Sequence, residues 1–132
     1  MHGEPFSMTS SLARSSRGLA RALPSADLHV ATVDRDGRAW LRLSAQLLGW
    51  IPGETLSMAV RDGVVHLRSD ADDHTGIPAA LDERHRVRVP LGIRAMAGVR
   101  VGTRLLVVTV PAAGSVAILP IHRVLAAFGV AP

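Results

Sequence analysis

Asp34-Arg35-Asp36-Gly37-Arg38 decides how this chain is read, because a variant returns as Asp82-Glu83-Arg84-His85-Arg86 and the same signals follow each time. After Arg38 come the alternation Ala39-Trp40-Leu41-Arg42-Leu43, a short helical patch over 44–48, and Gly49-Trp50-Ile51-Pro52-Gly53. After Arg86 come Val87-Arg88-Val89-Pro90, a patch over 91–97, and Gly98-Val99-Arg100-Val101-Gly102. Each copy then runs into a hairpin. The first has strands over 56–60 and 64–67 around Asp62-Gly63, and the second has strands over 105–110 and 116–119 around residues 111–114. An internal repeat sets the architecture before any single element does. The expected organisation is a flexible N-terminal arm (1–27), a first repeat (28–68), an acidic linker (69–77), a second repeat (78–120) and a helix-like tail (121–132).

The local chemistry of each copy follows from residue type. Aspartate bonds nearby backbone N–H groups and glycine accepts positive φ, so Asp34, Gly37 and Asp82 are expected to structure the loops, with Arg38 and Arg86 as partners of the aspartates. A strand over 28–33 delivers the chain to the first loop. Beyond each loop, alternation places Arg38, Trp40 and Arg42 on one face, opposite Ala39, Leu41 and Leu43, and sets Arg86 and Arg88 against Val87 and Val89. Ser44 offers an N-cap, Pro90 suits the first helical position, and Gly49 and Gly98 stop the helices. Leu47, Leu48, Ile93 and Met96 are expected to pack inward and Arg94 to stand exposed. The apolar run 105–110 reads as a strand buried on both faces. Trp40 is expected to cover an interface between repeats or subunits.

With these residues in view, 34–67 and 82–119 each resemble the swapped-hairpin AbrB/MazE/SpoVT DNA-binding domain, whose pattern runs Asp-x-x-Gly-Arg, a short apolar strand, a short helix, a Gly-containing turn and a hairpin. Two copies in one chain resemble the MraZ branch of that superfamily. The likeness covers about two thirds of the chain. It departs at Arg42, where the family prefers proline, at His85, which stands in the place of Gly37, and at Glu54 and Thr103, which replace an aspartate. The resemblance implies a mainly β swapped-hairpin barrel with short helices, completed by interleaving the two repeats, and ring-like self-association. It implies a sequence-specific transcriptional regulator that binds double-stranded DNA through Arg38, Arg42, Arg86, Arg88 and Arg94, with Arg35 and Arg84 at the loop tips touching backbone.

Composition agrees with a polyanion partner. All fifteen basic residues are arginine and the net charge is +4, and the arginine fork suits phosphate and guanine edges. Residues 78–132 carry +5 and residues 69–77 carry −3, which makes the second repeat the better DNA contact. Arg14, Arg17 and Arg21 in the arm suit a DNA backbone as well. No cysteine is present, so disulfides and thiolate metal sites are excluded. The cluster Asp70, Asp72, Asp73 and His74 lacks the spacing of a calcium loop and reads as a solvated linker, so neither metal nor cofactor is expected. No apolar run reaches the length of a membrane span, and a cytoplasmic, nucleoid-associated protein is expected. Nucleophile elbows, phosphate-binding glycine loops and dinucleotide fingerprints are missing, leaving no support for an enzyme or a small-molecule substrate. Two other readings stay open: an antitoxin paired with a toxin, and an oligomeric assembly module that has lost DNA binding.

Overall fold

A computed structural model describes residues 25–130. The arm expected over 1–27, with Arg14, Arg17 and Arg21, lies almost wholly outside the described residues. The fold is mainly β with short helices. Its elements are β1 (Asp27–Thr32), β2 (Arg38–Trp40), α1 (Arg42–Leu48), β3 (Thr55–Arg61), β4 (Val64–Ser69), β5 (Ile77–Ala80), β6 (Arg86–Arg88), α2 (Leu91–Ala97), β7 (Arg104–Val110), β8 (Ser115–Pro120) and α3 (Ile121–Ala127). A single 3-10 turn, Pro111–Ala113, joins β7 to β8.

Six strands form one antiparallel sheet in the order β1-β7-β8-β4-β3-β5, and β2 pairs with β6 in a separate two-stranded ribbon. The hydrogen-bonded ladder does not close, for β1 and β5 stand at its two edges; a closed barrel, the expected form, is not what these strands make. The order reads the same from either edge when β1 is exchanged with β5, β3 with β7 and β4 with β8. Each edge strand therefore lies on the hairpin from the other half of the chain, β1 on β7 and β5 on β3.

Alternation explains the core. Leu56 and Met58 of β3, Val65 and Leu67 of β4, Leu105 and Val107 of β7, and Val116 and Ile118 of β8 all face one side and are buried. Ala39 and Val87 of the ribbon, with Leu41, Ala45, Ile93 and Ala97, close over that face. Burying an aliphatic side chain of this size stabilises by about 1.5–3 kcal/mol, so this shared layer holds sheet, ribbon and helices together. The run in β7 is not buried on both faces: Leu105, Val107 and Thr109 are covered, whereas Leu106, Val108 and Val110 are only half-buried.

The helices differ from expectation in register. β2 ends at Trp40 and α1 begins at Arg42, so Arg42 is the first residue of a helix and not a strand residue. Ser44 is no cap; it is fully buried inside α1, its hydroxyl 2.7 Å from that of Thr109. That pairing satisfies two hydroxyls that would otherwise be stranded in the core. Pro90 is the N-cap of α2 and Leu91 its first residue. Ile93 packs inward as expected and Leu48 is half-buried, but Leu47 and Met96 are exposed, because the small residues Ala45 and Ala97 take the close approach. Gly49 and Gly98 end the helices in the left-handed conformation, φ 72° and 70°.

Candidate nucleic-acid interface

The two Asp loops share the same main-chain bonding. Backbone N–H groups of Asp36 and Arg38 donate to Asp34 Oδ1 at 2.9 and 3.0 Å. Those of Arg84 and Arg86 donate to Asp82 Oδ1, both at 2.8 Å. In each loop the main chain closes the same turn, Gly37 N–H to Asp34 O and His85 N–H to Asp82 O. The loops also cross-brace, since Val89 N–H donates to Gly37 O at 2.9 Å and Leu41 N–H to His85 O at 2.8 Å.

The fourth position of each turn needs positive φ, 76° at Gly37 and 60° at His85. Glycine adopts it freely and histidine does so under strain. What lies beside the position differs as well. A Cβ on Gly37 would stand 3.2 Å from the Arg94 guanidinium, which reaches over the loop to give its Nε–H to Val89 O at 2.9 Å. In α1 the position matching Arg94 is Ala45. The second half's helix thus sets a long residue beside the first loop's glycine, whereas the first half's helix has alanine at that place and the second loop has histidine.

Between the loops, the aspartates' second oxygens meet arginines across the ribbon. Arg86 donates from Nε to Asp82 Oδ2 at 2.8 Å and from Nη1 to Asp34 Oδ2 at 3.1 Å, while Arg38 Nη1 lies 3.5 Å from Asp82 Oδ2. The Arg86 guanidinium also sits 5.3 Å from the centre of the Trp40 ring, within cation–π range. Burial disfavours the charge of both aspartates, yet the backbone N–H groups and Arg86 outweigh it and hold both carboxyls below the usual range. Partial burial also opposes the Arg86 charge, and the two aspartates more than offset it, raising its pKa.

The ribbon register pairs Arg38 with Arg88 and Trp40 with Arg86, with Ala39 and Val87 buried between. The outward face therefore carries Arg38, Trp40, Arg86 and Arg88. Arg88 is exposed, and Arg35 and Arg84 stand exposed at the loop tips. Arg86 differs from these, with only 14% of its side chain accessible, held between the two aspartates. Arg42 stands exposed at the start of α1, and a groove lined by Trp40, Arg42, His29 and Thr32 separates it from β1. Arg94 is half-buried over the first loop. Trp40 is 41% exposed and meets Arg86 across the ribbon. The role of Arg86 as a brace was not legible because the two carboxylates it joins are 48 residues apart.

In the connector, Asp73 Oδ1 accepts from the Thr75 N–H and hydroxyl at 2.9 and 2.6 Å. Among the described residues no group of three or more His, Asp or Glu is arranged to hold a metal, and no helix is long and apolar enough to cross a membrane.

No family model matches the sequence, and no curated protein does. Among solved structures, the chain is similar to the solution structure of PHS018 from Pyrococcus horikoshii, with 16% identity over 70% of this chain and 88% of that one and a TM-score of 0.40.

Proposed function

We propose that the protein is an AbrB/SpoVT-type, sequence-specific DNA-binding transcriptional regulator built from two tandem swapped-hairpin repeats, which binds double-stranded DNA through the β2–β6 ribbon and its two loops. The observation that carries this reading is the Asp34–Arg86–Asp82 brace. It pairs Asp34 and Asp82 with a guanidinium and ties together two loops whose tips present Arg35 and Arg84, beside Asp36 and Glu83, next to a ribbon that carries Arg38 and Arg88. A two-stranded ribbon fits the major groove, and arginines on it can pair with guanine edges or phosphates. In this reading Arg35, Arg84 and Arg88 meet DNA, Arg38, Arg42 and Arg94 flank them, and Arg86 positions the loops. The matching loop geometries and the strand order that reads alike from both edges support the tandem repeat.

The test is fluorescence anisotropy on the protein's own upstream DNA and on a shuffled duplex, between roughly 50 and 200 mM salt. Tighter, salt-steep binding to the upstream DNA is expected. Replacing Arg35, Arg84 and Arg88 with alanine should flatten the log–log salt dependence by roughly 0.9 for each phosphate no longer neutralised. An unchanged slope would sink the assignment of this face.

A second reading, an oligomeric assembly module, is favoured by one observation. Phe128 is 80% exposed and Leu125 and Val130 stand beside it in sequence as exposed apolar residues, a surface suited to self-association. Absence of DNA binding at low salt, with a defined oligomer by light scattering, would select it.

A further inference from the structure

On the side of the sheet away from the ribbon, β3, β4 and β8 with the connector and the 3-10 turn enclose a cleft of about 300 Å³. Its lining includes Ser57, Arg61, His66, Arg68, Asp73 and Ser115. Volume puts it at the lower end of small-molecule sites. The floor is made of short residues because Ala59 pairs with His66, and Ser57 and Ser115 flank Arg68 in register. Two arginines therefore bracket a half-buried imidazole, Arg68 two residues along the same strand and Arg61 on the neighbouring one.

The polar atoms around this floor are unevenly engaged. Ser57 Oγ accepts from Gly76 N–H at 2.8 Å, and Arg68 Nη2 donates to Ala113 O at 3.2 Å. The Arg61 main chain pairs with Val64 in the ladder, while its guanidinium makes no ion pair or hydrogen bond among the described residues and acts on Asp73 only through its field. The one acid of the lining, Asp73, has both of its bonds on the oxygen that caps Thr75, which with the fields of Arg68 and Arg61 keeps it ionised. Burial and the Arg61 charge hold His66 neutral at ordinary pH, opposed only by Asp62 in the adjacent turn. A cleft with a guanidinium free of direct partners, a second beside it and a neutral imidazole that a bound anion would help to protonate is set for a negatively charged guest.

The other half of the molecule sharpens the point. At the matching strand positions, the outward residues are Leu106, Val108, Val110, Ala117 and Leu119. The framework itself does not call for arginine or histidine there.

We propose that this cleft binds a small oxyanion, a phosphate- or carboxylate-bearing molecule, between Arg61 and Arg68 with His66 as the third contact. Binding here requires no contact between the ribbon and DNA. Charge-assisted hydrogen bonds of this kind set an affinity of about 1 mM for a small ion.

Imidazole-detected NMR of the full chain tests it. Inorganic phosphate and acetate are titrated separately at constant ionic strength held with sodium chloride, following His66. The expected result is a saturable shift and a His66 titration midpoint that rises in the presence of the bound ion. In the Arg61→Gln/Arg68→Gln variant, whose two exposed substitutions should leave the amide spectrum and Tm in place, the apparent Kd should weaken at least about tenfold. Saturation by phosphate alone assigns a phosphoryl ligand, and saturation by acetate as well extends the site to carboxylates. Shifts that sodium chloride reproduces, that never saturate, or that persist in the double variant would overturn the proposal.

Discussion

In the first hairpin the outward positions are Ser57, Ala59, Arg61, His66 and Arg68; in the second, at matching places on the ladder, they are Leu106, Val108, Val110, Ala117 and Leu119. The inward positions do not diverge in this way, since Leu56, Met58, Val65 and Leu67 answer Leu105, Val107, Val116 and Ile118 and all are buried. The segments after the hairpins part company as well. β4 leads into the connector, whose Gly76 bonds Ser57, while β8 leads directly into α3, whose Arg123 donates to the carbonyls of Gly63 and Asp62 at 2.6 and 3.2 Å. The side facing the ribbon must fill a shared core and takes apolar residues of suitable size, with Thr109 admitted because its hydroxyl is satisfied by Ser44. The outer side is released from that demand, and there the halves have become a polar cleft in one case and a largely apolar surface in the other.

Substitutions in the Asp loops show how unequally the two halves carry the brace. The largest effect is expected at Asp82, whose carboxylate takes two backbone N–H groups, Arg86 and the nearby Arg38. Asp82→Ala should destabilise by about 2–3 kcal/mol and Asp34→Ala, with Arg86 alone on its second oxygen, by about 1–2 kcal/mol, in urea titrations. Equal losses would show that the brace is not centred on the second loop.

Acid should act on both loops together. The carboxyls are depressed in the folded state, so their contribution is complete above the ordinary aspartate value of 3.8 and is lost as pH falls below it through the native values. Urea midpoints recorded from pH 7 to pH 2 should decline across that acid range. In Asp82→Asn, which keeps an acceptor oxygen but has no charge to lose, the decline should be shallower.

Next in size comes Gly37→Ala, expected to cost about 1–2 kcal/mol because φ is 76° and the new methyl meets Arg94. Smallest is His85→Gly. It relieves the left-handed strain but removes a half-buried ring, and a net stabilisation below about 1 kcal/mol is expected by thermal melts. If both substitutions destabilise alike, the histidine has been accommodated without strain.

Much of the local pattern was legible in the sequence. Turn chemistry placed Asp34, Asp82 and Gly37, glycine placed both helix ends, and alternation placed the hairpins. α1 was misread because Leu41 and Arg42 continue an apolar alternation although the strand stops at Trp40, and propensity has no view of where tertiary packing bends the chain. Ser44 looked like a cap for the same reason, and its partner Thr109 lies 65 residues away. Leu47 and Met96 looked like core by hydrophobicity, but close packing of the helices selected Ala45 and Ala97. Arg86 matched an outward strand position; only the cross-ribbon geometry turns it toward Asp34. The cleft was invisible because it needs β3, β4, β8 and the connector together.

Placing each edge strand on the opposite half's hairpin also governs when the protein can fold. β1 pairs with β7 in a register that runs from Thr32 with Arg104 to Asp27 with Thr109, so during synthesis the first strand leaves the ribosome well before its partner exists. At elongation rates of about 5–20 residues per second, that wait is roughly 4–16 s. Throughout it, Leu28 and Val30 lie on a strand with no ladder, a template open to any neighbouring nascent chain. Non-local pairing of this kind folds slowly even after release, which lengthens the interval in which the first strand is open to mispairing.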